Sequence, residues 1–171
     1  ERTAKTFSLA MQIAQEMGIL NQGDLVVQTA GTLTGISGST DLIKVGLVRK
    51  IVSRGISIGE IGVTGKARII KNNLDMSLIC PGEILFVPEE LMKNIPLSKN
   101  IAGIVTNQNV NDVYALFNKN NKKISTICNL ENMDNHQISN GDLITLQLNE
   151  GVIYMGQIED DDDAIDKYKY V

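Results

Sequence analysis

The feature that most constrains this chain is a pair of short apolar strands enclosing a loop of Gly, Ser and Thr. The first strand lies in Gly23-Asp24-Leu25-Val26-Val27-Gln28-Thr29-Ala30-Gly31, and the second begins at Leu42-Ile43-Lys44-Val45. Between them, Gly31, Gly35 and Gly38 permit backbone angles closed to other residues, so main-chain N–H groups can converge on one point. Ser37, Ser39 and Thr40 add hydroxyl donors beside Gly38. Such a loop suits an anion, usually a phosphate, and serves equally as a polar connection, since the strict phosphate-loop spacings are missing.

Phe7, Ala10, Met11, Ala14 and Met17 recur at three- and four-residue steps, so an amphipathic helix precedes the strands and Gly18 ends it. Leu25 to Ala30 is a nearly continuous apolar run, the pattern of a strand buried on both faces. Leu42 to Val48 is a second strand. The broad apolar face of the helix needs a larger partner surface than two strands offer. The chain also opens at Glu1 inside a helical pattern, so it reads as a piece of something longer.

From Arg49 the texture changes. Ile51 to Ile70 alternates apolar with Gly or polar residues, which predicts strands with bulges. Further strands are expected at Ile84 to Val87, Ile101 to Thr106, Ile124 to Cys128, Leu143 to Leu148 and Val152 to Met155, with a short helical turn at Glu89 to Lys93. Asn111 to Asn118 reads as a helix capped by Asn111 or Asp112. Gly23, Gly82 and Gly141, each followed by Asp or Glu, introduce three of the strands, which points to one turn chemistry used three times.

With 171 residues, the chain has room for one domain or two small ones. Aromatics make up 4% and Trp is absent, so the core must come from Ile, Leu, Val, Ala and Met. The net charge of −4 argues against a nucleic-acid surface. Lys44, Arg49, Lys50, Arg54, Lys66, Arg68 and Lys71 read as solvated strand faces. No apolar run reaches membrane-spanning length, and no membrane partner is expected. Cys80 and Cys128 match no metal or redox spacing, and two buried reduced thiols in a cytoplasmic protein are expected.

The single His, His136, sits in the polar run Glu131 to His136 without enough neighbours for a metal site. Glu159 to Asp163 lacks the spaced ligands of a calcium loop and reads as a solvated acidic tail.

The order of the opening residues is more specific than their composition. A helix ending Gly18-Ile19-Leu20, then Gly23 to Gly31, then Gly35 to Val45 resembles the end of the C-terminal domain of the pyruvate kinase family. The resemblance implies that the loop at Ser37, Gly38, Ser39 and Thr40 holds the phosphate of a sugar-phosphate or nucleotide effector. Asp41 stands where the family commonly has Asn, and a carboxylate there repels a phosphate by about 1 kcal/mol.

The later, strand-rich order, closing with Asn140 to Gly156, resembles the swivelling phosphohistidine domain of enzymes that use phosphoenolpyruvate. That family's Gly-Gly-x-Thr-Ser-His-Ala-Ala motif falls on Asn109 to Leu116, which puts Tyr114 in place of the phosphorylated His and Asn109 and Val110 in place of the Gly pair. A phosphoryl carrier needs an imidazole nitrogen nucleophilic near neutral pH, and a phenol is a poor substitute.

The combined expectation is an α/β chain in two pieces. Residues 1–50 finish a pyruvate kinase C-terminal effector domain, 51–157 form a swivelling β/β/α module, and 158–171 are an acidic tail. The resemblance implies a cytoplasmic enzyme that moves a phosphoryl group from phosphoenolpyruvate to ADP with Mg and K, a homotetramer when full length. This segment is expected to bind no cofactor and to lack catalytic residues. Its partners would be the remaining domains of the same enzyme. The alternatives are a stand-alone interaction module and a phosphoryl-carrier domain.

Overall fold

A computed structural model of the chain describes residues 2–31, 42–131, 133 and 138–157. They divide between Lys50 and Ile51 into two units. The effector-loop residues Ser37 to Thr40, Asp41, His136 and the acidic tail lie outside the described residues.

The first unit opens with helix α1, Arg2–Glu16, and its stop is built by Gly18 at φ 70°, a left-handed conformation that glycine adopts without penalty. Strands β1, Leu25–Ala30, and β2, Leu42–Leu47, pair antiparallel from Leu25↔Leu47 to Ala30↔Leu42. The helix is tied to this ribbon by polar bonds. Gln28 Nε2 donates to the Phe7 carbonyl at 2.8 Å, and Gln15 Nε2 donates to the Arg49 carbonyl at 3.2 Å. The expected burial of β1 on both faces is not observed. Val26, Gln28 and Ala30 are half-buried, whereas Leu25 and Val27 are 50% and 62% exposed. A single helix covers only one side of a two-stranded ribbon, so an apolar run that reads as interior is left half open.

The second unit contains strands β3, Ile51–Arg54; β4, Ile56–Ile58; β5, Val63–Ile69; β6, Ile84–Phe86; β7, Gly103–Val105; β8, Ser125–Cys128; β9, Leu143–Gln147; and β10, Val152–Met155. Helices α2, Glu89–Met92, and α3, Val110–Lys119, follow β6 and β7. The sheet order is β3-β10-β9-β5-β6-β7-β8-β4, with β5 to β8 parallel and the remaining pairs antiparallel.

Its two end strands are halves of one run broken at Gly55. Arg54 pairs with Val152 on β10 and Ile56 with Cys128 on β8, so the sheet closes on itself. Closure removes exposed strand edges.

A closed sheet has an inside and an outside, and the sequence supplies a core for each. Ile84 and Phe86 of β6 join Ala67, Val105, Ile127, Ile144, Leu146 and Ile153 in one apolar cluster. Leu85 and Val87, alternating with them, join Ile104, Cys128, Val113 and Phe117 in another, which brings α3 onto the sheet. Strands β6 and β7 are therefore buried on both faces and read as short unbroken apolar runs.

The three Gly-acid turns are built alike. In Asn21–Asp24, Cys80–Glu83 and Ser139–Asp142 the fourth residue's N–H donates to the first residue's carbonyl. In each, the acidic side chain accepts from the first residue's N–H, at 2.7, 2.9 and 2.8 Å. Gly23, Gly82 and Gly141 take φ of 92°, 80° and 91°, as the third position of a type II turn requires.

Two further expectations are corrected. The cap of α3 is Asn109, whose Oδ1 accepts from Asp112 N–H at 3.0 Å, because the helix begins one residue before Asn111. Cys80 is exposed and only Cys128 is buried, since Cys80 opens a surface turn while Cys128 lies within β8.

Candidate functional site

Strands β1 and β2 stay paired up to Ala30↔Leu42, so the two ends of the Gly/Ser/Thr loop are held one strand spacing apart, about 5 Å. That is the frame for the expected effector residues; Ser37, Gly38, Ser39 and Thr40 themselves are not described.

In the second unit the described polar groups gather at the carboxyl ends of the parallel strands. Gln108 N–H donates to Thr106 Oγ1 at 3.1 Å, Glu89 N–H to Asn107 Oδ1 at 2.9 Å, and Asn129 N–H to the Gln108 carbonyl at 3.0 Å. These bonds lock the connection from β7 into α3. Asn109 also donates from Nδ2 to the Asp112 carboxylate, which closes the first turn of the helix.

On α3, Val113 and Phe117 are buried against the sheet, and Tyr114, the position of the expected phosphohistidine, is 46% exposed. Side chains at positions 113 and 117 hold the helix, so the residue at 114 is free to meet solvent. The structure brings no histidine to it among the described residues. No group of three His, Cys, Asp or Glu side chains there is placed to hold a metal ion, and no helix is long and apolar enough to cross a membrane.

Sequence reasoning missed the ion pair between Arg68 and Glu83. Arg68 does not lie on a solvated strand face. Its Nη2 donates to Glu83 Oε1 at 2.7 Å, and its Nε reaches both carboxylate oxygens at 3.2 and 3.1 Å. The side chain of Glu83 is only 8% exposed. Burial alone would push its carboxyl up. The Arg68 fork, the Cys80 N–H and the nearby charges of Arg68 and Lys66 outweigh that and hold it below its ordinary 4.5. The same bond raises the Arg68 guanidinium. A carboxylate with its lone pairs so occupied is a strut, not a proton acceptor.

Because the folded value is depressed, this stability is present above pH 4.5 and is lost as pH falls through the folded value. Arg68→Met is expected to cost about 2 kcal/mol at pH 7, the range for losing a hydrogen bond to a charged group. The gap to the native chain should narrow below pH 4.5, as Glu83 protonates. Urea unfolding at stepped pH reads this, and a gap constant with pH would remove the pair from the account.

Residues 1–46 match the family model described as pyruvate kinase, alpha/beta domain. Pyruvate kinase 2 of Synechocystis sp. is 36% identical over 156 residues, 91% of this chain, so the likeness continues well into the second unit. The chain is thus similar to pyruvate kinases along most of its length. Pyruvate kinases of Staphylococcus saprophyticus and Geobacillus stearothermophilus are 30% and 28% identical over 86% and 90% of the chain. The chain spans about a quarter of the length of these pyruvate kinases, 26%, 25% and 26% respectively. Among solved structures, MccF in complex with glutamyl sulfamoyl guanosine is 14% identical at a TM-score of 0.45, covering 86% of this chain and 56% of that one. That likeness is too slight to speak to function.

Proposed function

We propose that the chain is the C-terminal regulatory and structural portion of a cytoplasmic pyruvate kinase, an enzyme that passes a phosphoryl group from phosphoenolpyruvate to ADP. The observation that carries this reading is the likeness to pyruvate kinases over 91% of the chain, through both units. The half-open ribbon supports it. Leu25, Val27 and Ile43 are 50%, 62% and 71% exposed, an apolar surface suited to the rest of an α/β domain.

In this reading, residues 1–50 complete the effector domain, and Ser37, Gly38, Ser39 and Thr40 receive the phosphate of a sugar-phosphate or nucleotide effector. The full-length enzyme is a homotetramer whose Mg and K are held by domains outside this chain. Residues 51–157 are a swivelling-type module that has lost its carrier chemistry. A helix following the parallel strand β7, with its fifth residue exposed, is where a phosphohistidine would act, and that residue is Tyr114.

Incubation with phosphoenolpyruvate and a phosphoryl-transfer enzyme should leave no acid-labile phosphate on the chain. Its appearance would restore the carrier reading. Calorimetric titration of the same preparation with sugar phosphates and nucleoside monophosphates tests the loop; no heat with any of them would make the chain a plain interaction module.

A further inference from the structure

Asn140-Gly141 is the one place in the 171 residues where glycine follows asparagine. Asparagine is a thermolabile residue, and a following glycine puts no side chain in the way of its cyclisation. Both residues are exposed, and no atom lies within 4 Å of a Cβ built on Gly141. Water and hydroxide therefore reach the pair, and burial gives it no protection.

Protection has to come from hydrogen bonds, and the fold places one on each reacting group. Gly141 N–H, the nitrogen that would attack, donates to the Ala67 carbonyl at 2.8 Å. Asn140 Oδ1, on the carbon that would be attacked, accepts from Ile69 N–H at 2.7 Å. Ala67 N–H returns a bond to the Asp142 carbonyl at 2.7 Å, so the turn prolongs the β5–β9 ladder and the Asn140 amide stands in for its next rung. The Asp142 carboxylate braces the turn, accepting from Ser139 N–H at 2.8 Å.

We propose that Asn140 is a site of spontaneous covalent modification, held off by the β5 edge in the folded second unit and released when that edge opens. Once freed, Gly141 N gives up its proton and bonds to Asn140 Cγ, closing a five-membered imide. The Cγ–Nδ2 bond breaks, and the amide nitrogen leaves as ammonia with that proton. Water then adds to either imide carbonyl and breaks its C–N bond, leaving aspartate or isoaspartate at position 140.

The two products fit the turn differently. Aspartate keeps an oxygen for Ile69 N–H. Isoaspartate carries the main chain through its Cβ, so the added methylene takes Gly141 N–H out of register with Ala67 and strains the 3.1 Å bond from Asp142 N–H to Ser139. A transient opening of the β5–β9 edge is thereby made permanent, the chemical route to irreversible unfolding.

The test holds the 171-residue chain in mildly alkaline buffer, with and without guanidinium chloride, and follows residue 140 by peptide mass spectrometry and isoaspartyl methylation. Isoaspartate at 140 should accumulate at least tenfold more slowly without denaturant, because reaction must wait for local opening. Asp142→Ala removes the brace and neither reacting group, and should raise the rate in buffer at least threefold. Cys128, buried in β8, should stay unreactive toward a thiol reagent in that variant until denaturant is added, which shows it folded. Equal rates with and without denaturant would overturn the proposal. So would a denatured chain modified at other asparagines and not at 140, or a folded Asp142→Ala chain reacting at the native rate.

Discussion

Gly55→Ala is expected to break the second unit open. A Cβ at this position would lie 2.3 Å from the Cys128 carbonyl oxygen, 2.8 Å from Ile127 Cγ2 and 3.1 Å from Leu130 Cδ1. The first neighbour is backbone of the adjoining strand, so no side-chain rotation relieves the clash. The strand must move away from β8, and it is held on its other flank by the bond from Gly55 N–H to the Gly151 carbonyl at 2.9 Å. The cost should lie at or above the upper end of the overpacking range, about 3 kcal/mol.

Gly82→Ala is the control. Gly82 has φ 80° and no atom within 4 Å of a built Cβ, so only left-handed backbone strain, about 1 kcal/mol, is added. Amide exchange of Ile127 and Ile153, both fully buried, reports the unit's global stability. A Gly55→Ala chain within 0.5 kcal/mol of native by that measurement (about the effect of an ordinary surface substitution) would show that residues 51–58 do not close the sheet.

Local signals in the sequence were readable because their causes are local. Gly18 ends a helix through its own φ, and the three Gly-acid turns reveal themselves by two adjacent residue types. Apolar runs and turn residues placed β6 to β10 within about two residues, whereas the alternation from Ile51 to Ile70 announced strands without separating β3, β4 and β5.

Closure was not readable. It depends on Arg54 finding Val152 while Ile56, two residues on, finds Cys128, and no feature near Gly55 names either partner. The Arg68–Glu83 fork was hidden for the same reason: a basic residue in a strand looks alike whether its partner is water or a buried carboxylate. Glu83 gave one clue, since it follows the turn Pro81-Gly82 and immediately precedes the apolar strand β6.

Burial of the first unit was misjudged in the opposite direction. Leu25 to Ala30 has interior composition, but composition states what a strand is suited to pack against, not whether that surface belongs to the same chain. For the candidate site, the residue type at position 114 was legible, and its exposure followed only from knowing which face of α3 meets the sheet.

The most direct test is pyruvate formation from phosphoenolpyruvate and ADP, with Mg and K present. The longer polypeptide carrying this segment should turn over, and the 171-residue chain alone should form no pyruvate. Turnover by the short chain, or none by a folded longer polypeptide, would contradict the account.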